Sequence, residues 1–400
     1  MAYSRQWSQS RPLRDAAIAG YGQTRYEKKP ARATLWYCVE AARLALQQTG
    51  FRREEVDGLG VSSFMLGSDN VSTVAEHLGL TLRWGYSGAF GGASQIVGLL
   101  RALRAIECGD AEVIVLVSGD AYSVSGHDAM MDDFNGAMRD YLIPYGIGGT
   151  NGLFAMLERR HRYEFGTTRN QLAKLAVEQR RNAGRNPNAL LRDPLTAREY
   201  LEARLICDPL RLYDCVLPCG GGEAVVVTTA ARAAEAARRP VYVLSGDERT
   251  NYGPKELLLL SGGWETFSDT MFKEAGVRHG DLDFVQLYDD YPIMEVIQLE
   301  GLGFCKRGEG GRFLDQTDIS LTGTLPINTG GGQLSCGQSG AGGGAIGLTE
   351  AILQLQGDGG ERQVADARLG LVSGFGMVGY VKGLCQAAVI LTSELGGVAG

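Results

Sequence analysis

The sequence predicts a duplicated α/β fold, with two mostly parallel sheets, helices in layers (α-β-α-β-α) and a lid insertion. Two observations carry this prediction. A unit made of a glycine turn, a helix and a strand occurs twice, and strands alternate with helices in both halves, which is typical of parallel sheets covered by helices. We expect an N-terminal half over residues 1–240, with the lid at about 120–200, and a C-terminal half over residues 241–400.

The later copy of the unit spans residues 325–357. An apolar run at 325–327 enters the glycines at 330–332, and apolar residues then recur at helical spacing from 345 onwards. Glycines at the start of a helix let the backbone approach a ligand closely and leave amide N–H groups free for an anion or an oxyanion. The alternative is that they only permit tight helix packing.

The earlier copy spans residues 84–121, where Gly91 and Gly92 precede a helical run and a strand follows. The likeness extends upstream, since residues 49–63 resemble 275–289 and residues 16–22 resemble 241–247. A repeat with the same order of elements predicts two similar halves that face each other across a pseudo-twofold axis. The two helix starts should then converge on one site.

The elements of the first half follow in order. A strand at 16–22 leads to a helix at 33–50, a strand that ends at 63 and a short helix at 71–80. Inside the lid, one helix spans 167–186 and another begins at the capping residue Thr196. A strand at 223–229 closes this half.

The second half opens with a strand near residue 241 and a helix at 264–275. A strand at 284–288 then reaches an abrupt Asp-Asp-Tyr-Pro turn, and a helix at 293–304 follows. Apolar runs at 369–374 and 386–392 predict a final pair of strands.

Charge and composition exclude several functions. A net charge of −7 argues against nonspecific nucleic-acid binding, which needs a basic surface. No apolar run is long enough to span a membrane, and the first residues lack the apolar core of a signal peptide, so we expect a cytoplasmic protein. Arg180, Arg181 and Arg185 form either a solvated helix face or contacts to a phosphate-bearing ligand.

Motifs for common cofactors are weak or missing. Residues 374–379 match G-x-G-x-x-G, but the following residues read as a strand instead of the helix that a dinucleotide site requires. There is no P-loop, the eight cysteines show no C-x-x-C, and no histidine falls at a glycine turn or strand end. We expect neither a metal nor a covalently bound cofactor.

Tyr288 is the main candidate for proton transfer. It ends a strand, where open α/β sheets place ligands. Its hydroxyl can exchange a proton or stabilise an oxyanion, although an ordinary tyrosine pKa near 10 means that the site must activate it. A tyrosine that simply packs at a strand end is the alternative. Asp289 and Asp290 are rival acids, although turn and helix-capping roles also fit them.

Four segments together resemble the thiolase superfamily, in the branch of sterol-carrier-protein thiolases and lipid-transfer-protein-like steroid aldolases. They are the duplicated unit, YDDYPIMEVIQLEGLGFC, INTGGGQLSCGQSGAGG and SGFGMVGY, and the segment RNPNALLRDPLTAREYLEARLICDPLRLYDC also resembles that branch. The resemblance covers nearly the whole chain, and it is more specific for fold than for reaction.

The resemblance implies that the reactive positions of the family have changed. The family's nucleophilic cysteine opens a C-A-S-G string, whereas here Gly92 holds that place before Ala93 and Ser94. The family's histidine in H-D-x-F corresponds to Tyr288, and its G-H-P-x-G histidine corresponds to Gln338. The turn containing Gly376 lacks the late catalytic cysteine of many thiolases. Together with Gly92, we expect Ala93, Ser94, Asp289 and Gly376 to bind the substrate.

These changes remove the thiolate and base of ordinary thiolysis. The similar steroid aldolases also lack the cysteine and use a strand-end tyrosine for retro-aldol cleavage of a β-hydroxyacyl-CoA, without an acyl-enzyme. The resemblance therefore implies that Tyr288 is the acid/base, while backbone N–H groups near Gly92 and Gly337, with Gln338, hold the enolate oxygen. Those aldolases carry a second tyrosine where this chain has Gln338.

Two other functions stay open from the sequence. Cys336 could be a relocated nucleophile in a thiolase or acyltransferase, or the chain could be a non-catalytic acyl-CoA-binding homologue. In each case coenzyme A enters as part of the substrate. The resemblance also implies a role in lipid or steroid metabolism, a homodimer formed near residues 84–89 and a small partner protein with an OB-fold and a zinc ribbon.

Overall fold

Strands and helices alternate along the computed structural model, which describes residue 13 and residues 15–124, 135–147, 149–253, 260–379 and 382–394. The strands are β1 (Ala16–Gln23), β2 (Gly58–Ser62), β3 (Trp84–Ser87), β4 (Val113–Ala121), β5 (Leu205–Cys207), β6 (Leu210–Arg211), β7 (Gly220–Thr229), β8 (Tyr242–Thr250), β9 (Phe284–Gln286), β10 (Leu369–Gly379) and β11 (Lys382–Thr392).

The α-helices within these residues are α1 (Thr34–Thr49), α2 (Asn70–Leu78), α3 (Ser94–Cys108), α4 (Gly136–Tyr141), α5 (Gly149–Phe165), α6 (Arg169–Gly184), α7 (Ala197–Glu202), α8 (Ala230–Glu235), α9 (Ser268–Ala275), α10 (Pro292–Gly301), α11 (Gly310–Gln316), α12 (Gly332–Cys336) and α13 (Ile346–Gln356). Among them, no helix combines the length and the apolar character that a bilayer span requires.

The two large sheets share one topology. The first has the order β1-β7-β4-β2-β3, and the second has the order β8-β11-β10-β9. The place that β3 holds beside β2 is taken in the second sheet by Ile327, which bridges in parallel to Val285 on β9. The predicted α/β duplication is confirmed, while the boundary at residue 240 stays a prediction.

The sheets are mixed, so the expectation that they are mostly parallel is wrong. Parallel pairing is confined to β3-β2-β4 in the first sheet and to β9-β10 in the second. β7 and β11 instead run antiparallel to both of their neighbours. Only residues 380 and 381 separate β10 from β11, and so short a connection can join strands only in an antiparallel pair.

One of the predicted helices is interrupted, and another begins well after its glycine turn. The helix expected at 264–275 splits into a 3-10 turn and α9, because the backbone of Phe267 (φ −136°, ψ −12°) is not helical. After the later glycine turn, α12 and a 3-10 turn at Gly340–Ala345 precede α13, because Gly337 (φ 107°) and Gly340 (φ 56°) break the helical path.

A central layer of helices lies between the two sheets. α3 contacts strands of both sheets, and α13 packs against β9 and β10 on one side and β1 and β7 on the other. Their apolar residues belong to one buried cluster with both sheets. α1 covers the outer face of the first sheet, and α9 and α10 cover the second. The starts of α3 and α13, with the glycines that precede them, are therefore buried between the sheets.

A long insertion joins β4 to β7 over residues 122–219. It carries α4 to α7 and the small β5-β6 pair, and it includes most of the lid expected at 120–200, of which residues 125–134 and 148 lie outside the described part. Thr196 caps α7 as predicted, accepting from the N–H of Glu199 at 3.2 Å. α6 packs against α10, α11 and α12, so the insertion rests on the second half of the chain.

Asp120, at the end of β4, ties the first sheet to the second glycine segment. Its buried carboxylate accepts the backbone N–H groups of Phe64 (3.1 Å), Met65 (2.9 Å) and Ala341 (2.9 Å), and the hydroxyl of Ser63. Burial raises its pKa to about 6, although these four donors act in the opposite direction. The carboxylate fixes the two halves relative to each other beside the site.

Candidate active site

A pocket of about 460 Å³ lies where the two helix starts meet. The starts of α3 and α13 touch directly, because a Cβ added to Gly344 would lie 2.1 Å from the carbonyl oxygen of Gly92. The pocket wall draws on both halves and on the insertion. The predicted site residues on it are Gly92, Tyr288, Gln338 and Gly376.

The backbone of Tyr288 is held by one buried side chain. Gln298 on α10 accepts the Tyr288 N–H at 3.0 Å through Oε1 and donates to the Tyr288 carbonyl at 2.7 Å through Nε2. The same Oε1 accepts the Ser373 hydroxyl at 2.5 Å, which links the clamp to β10. Tyr288 therefore leaves β9 in a direction set by the neighbouring helix and strand.

The Tyr288 ring is partly exposed to the pocket, and its hydroxyl lies in a setting that keeps it protonated. Burial raises the pKa of Tyr288 well above its ordinary value of 10, and the Asp290 carboxylate raises it further. Gln333 and Gln338 act in the opposite direction by hydrogen bonding. The group facing the pocket is thus a phenol that can donate a proton and is a poor base.

Gly92 and Tyr288 occupy space that only one side chain can fill. A Cβ at residue 92 would lie 2.0 Å from Cε2 and 2.3 Å from Cζ of Tyr288, and 2.5 Å from the carbonyl oxygen of Phe375. Real Cβ atoms do not approach other heavy atoms so closely. With this tyrosine in place, residue 92 cannot carry a nucleophilic side chain.

Gly376 continues the wall beside Gly92. A Cβ at residue 376 would lie 1.8 Å from the carbonyl oxygen of Phe90, so β10 and the turn before α3 pack main chain on main chain. Because glycine has no side chain, Gly92 and Gly376 can line the pocket only with backbone atoms. This arrangement can bring peptide N–H groups to a developing oxyanion.

Ala93 and Ser94 do not line the pocket, contrary to the expectation that they bind substrate. Both are buried at the start of α3, and the Ser94 hydroxyl accepts the N–H of Phe90 at 2.9 Å. Their role is to close the turn that presents Gly92.

Gln338 lines the pocket, whereas Gly337 does not. The Gly337 N–H donates to the carbonyl of Gln333 at 3.0 Å, and a Cβ there would lie 2.8 Å from the Cys219 sulfur. The expected oxyanion donor at Gly337 is therefore wrong, because its N–H is already bonded and the residue packs away from the pocket. The Gln338 side chain donates to Oε1 of the buried Gln333 at 3.3 Å.

Asp289 and Asp290 point to different places. The Asp289 carboxylate caps α12, accepting the N–H groups of Gln333 (2.8 Å) and Leu334 (3.1 Å), and burial raises its pKa to about 7. It does not line the pocket, so its predicted part in substrate binding is wrong and its capping interpretation fits. Asp290 lies on the pocket wall.

Cys336 lies outside the pocket, which contradicts its interpretation as a relocated nucleophile. It is 1% exposed, and its thiol donates to the Gly330 carbonyl at 3.2 Å. Burial and then the negative charge of Glu350 raise its pKa well above 9, so the thiol is not ionised.

Several residues that line the pocket were not predicted from the sequence. Thr150 and Asn151, at the start of α5, and Cys215 come from the insertion, which has no repeat partner to mark it. Tyr291 donates to Oδ1 of Asn151 at 2.7 Å and bonds Thr150 at 3.0 Å. The Cys215 thiol bonds the same Asn151 oxygen at 3.6 Å, and burial raises its pKa to about 12.

Two cations stand at the rim of the pocket. Lys28 and Arg204 are exposed lining residues, and neither makes an ion pair with any residue that the structure describes. None of Arg180, Arg181 and Arg185, the predicted basic cluster, lines this pocket. Arg180 is buried against Ser335 and Tyr213, and Arg181 pairs with Glu178.

Comparisons with known proteins agree with this geometry. A family model described as "Thiolase C-terminal domain-like" matches residues 254–392. The "17-hydroxy-3-oxo-4-pregnene-20-carboxyl-CoA lyase" of Mycobacterium tuberculosis is 31% identical over 360 residues, covering 86% of this chain and 92% of that protein. The "Steroid side-chain-cleaving aldolase" of Thermomonospora curvata is 30% identical over 335 residues, covering 80% of this chain and 85% of that protein.

A solved structure described as "Ltp2-ChsH2(DUF35) aldolase" superposes with a TM-score of 0.83 and 27% identity, covering 95% of this chain and 98% of that chain. The fold, the paired glycine turns and these relatives lead to one assignment. The chain belongs to the thiolase superfamily, in the branch of the sterol-carrier-protein thiolases and the lipid-transfer-protein-like steroid aldolases.

Proposed function

We propose that this chain cleaves the Cα–Cβ bond of a β-hydroxyacyl-CoA by a retro-aldol reaction, without an acyl-enzyme. The observation that carries the proposal is the overlap between a side chain at residue 92 and the Tyr288 ring. It excludes the side chain that would accept an acyl group and leaves a phenol on the pocket wall in its place. The relatives named as a lyase and an aldolase support the same reaction.

The cleavage needs a proton donor for the α-carbon of the enolate. It also needs hydrogen-bond donors that stabilise the negative charge on the thioester oxygen. Tyr288 stays protonated and can supply the proton. The main chain of Gly92 and Gly376 and the amide of Gln338 lie on the same wall and can stabilise the enolate oxygen. A second reaction, thiolysis through Cys336, has no supporting geometry.

Coenzyme A is proposed to enter over the rim formed by Lys28 and Arg204. The chain carries a net charge of −7. Two cations beside the pocket, without an ion-pair partner among the described residues, are therefore groups that can attract a polyanionic substrate to it. Both side chains are exposed, which suits a thioester whose reactive end is buried and whose phosphates remain near solvent. No other cofactor is required by the reaction.

Two partners are proposed. β3 lies at the edge of the first sheet in the part of the chain that is described, and its unpaired side can join the same strand of a second copy. The solved neighbour's title pairs an aldolase with a DUF35 protein, which supports a small OB-fold and zinc-ribbon partner for this chain.

Tyr288→Phe should lower kcat by about 100-fold to 10,000-fold, because the pocket loses its proton donor while the ring keeps its packing. The assay uses a panel of β-hydroxyacyl-CoA and β-ketoacyl-CoA thioesters, each with and without free CoA. Cleavage that requires free CoA would mean thiolysis and would contradict the proposal. Tyr163→Phe, on the exposed face of α5, is the matched control.

Gly92→Ala should destabilise the protein by about 1–3 kcal/mol and reduce cleavage, because the added methyl group displaces Tyr288. Thermal unfolding and the cleavage assay measure both effects. Adding Tyr288→Ala should recover part of the stability, since the ring contact disappears while the Phe375 contact remains. Gly280→Ala, where nothing lies within 4 Å of the new Cβ, should change neither. A stable, fully active Gly92→Ala would refute the packing argument.

Lys28→Glu and Arg204→Glu should each weaken acyl-CoA binding by about 10-fold, or about 1.4 kcal/mol, by repelling the phosphates. Binding of the matching acyl-pantetheine, which lacks the nucleotide phosphates, should stay unchanged. Lys29→Glu, beside Lys28 and off the pocket wall, is the control. Equal loss for both ligands would place the two cations elsewhere than at the phosphates.

Light scattering should give a particle of twice the mass of one chain, and a larger complex when the co-expressed OB-fold partner is added. A monomer would rule out pairing through β3. Partner-independent cleavage at the full rate would show that the second protein is dispensable.

A further inference from the structure

Asp290 is the acidic side chain that the mechanism has not yet used. Among the described residues that line the pocket, it is the only carboxylate, and none of them is a histidine. Tyr288 is held as a phenol and Gln338 cannot accept a proton from a hydroxyl group at neutral pH. The reaction therefore still lacks a group that can take a proton.

We propose that Asp290 is the general base of the cleavage and accepts the proton of the substrate's β-hydroxyl group. This inference rests on the proposed retro-aldol function. It assigns two different residues to the two proton transfers, with Tyr288 as the acid and Asp290 as the base.

The turn that carries Asp290 is fixed from both sides. On one side, Asp289 is bonded to the start of α12 and Gln298 holds the backbone of Tyr288. On the other, the Tyr291 ring stacks on Phe154 with centroids 4.1 Å apart. Asp290 is 8% exposed, and its Oδ1 accepts the N–H of Tyr291 at 3.1 Å. Its carboxyl group therefore has a set position on the wall beside Tyr288.

The surroundings of Asp290 make it a stronger base than an exposed aspartate. Burial raises its pKa well above 3.8, and the negative charge of Asp289 adds to this. The other titratable groups that sense its charge are Tyr288, Tyr291 and Glu295, all of which are neutral or negative. A base with a raised pKa takes a hydroxyl proton more readily, provided that the working pH ionises it.

The steps balance without any added reactant. The Asp290 carboxylate takes the β-hydroxyl proton, the oxygen's electrons form the C=O bond of the released ketone or aldehyde, and the Cα–Cβ electrons pass into the thioester as an enolate. The Tyr288 hydroxyl then protonates Cα. The proton on Asp290 returns to the Tyr288 phenolate, which restores both groups for the next turnover.

The test is rescue by a small carboxylate. Asp290→Ala and Asp290→Asn should each lose about 100-fold or more in kcat, while acyl-CoA product still binds with unchanged affinity. Added formate should restore at least about 10-fold of the rate in Asp290→Ala, where it fits the vacated space, and none in Tyr288→Phe. Wild-type kcat/KM should rise with pH through the raised pKa of Asp290, and this acidic limb should be absent in Asp290→Ala.

Each other outcome is decisive. An Asp290→Asn enzyme with a near wild-type rate refutes the base assignment while the retro-aldol function stands. If wild type cleaves none of the β-hydroxyacyl-CoA panel, both proposals fail. Should the variants not fold, the wild-type profile decides, because a flat kcat/KM from about pH 5 to pH 9 is incompatible with a titrating carboxylate base.

Discussion

The structure depends on one steric exclusion at the meeting point of its two helix starts. The Tyr288 ring fills the volume that a side chain at residue 92 would need, and the Phe375 carbonyl closes the other side. In a scaffold whose relatives include thiolases, this contact decides which chemistry is possible. A glycine at 92 is therefore required by the tyrosine, and it is not merely a lost nucleophile.

The buried polar residues around this contact fix the conformation of the turn more than they stabilise the fold. Gln298 bonds both backbone groups of Tyr288, Asn328 accepts the N–H of Leu287 at 2.8 Å, and Asp289 binds the start of α12. Each of these groups had to be desolvated, which is favourable only when its hydrogen bonds are satisfied. Together they hold residues 287–290 in one conformation, as proton transfer requires.

Much of this could be predicted from the sequence, for identifiable reasons. The repeat predicted the duplicated topology and the convergence of the two helix starts, because glycines before a helical run are visible along the chain. The sheet directions at β7 and β11 were missed, since periodicity marks a strand and not its orientation. Gly337, Asp289 and Cys336 were misplaced because neighbours in sequence can face opposite sides of a turn, which only coordinates resolve. Asn151 and Cys215 lie in an unrepeated segment without a motif.

The insertion after β4 supplies Thr150, Asn151 and Cys215 to the wall, whereas Tyr288, Asp290 and both glycine turns belong to the repeated framework. The residues assigned to bond breaking and the wall residues of the insertion are thus encoded in separate stretches of the chain. Evolution can reshape the inserted stretch for a new carbon skeleton without disturbing proton delivery. Enzymes of this design can therefore acquire new substrates while keeping one reaction.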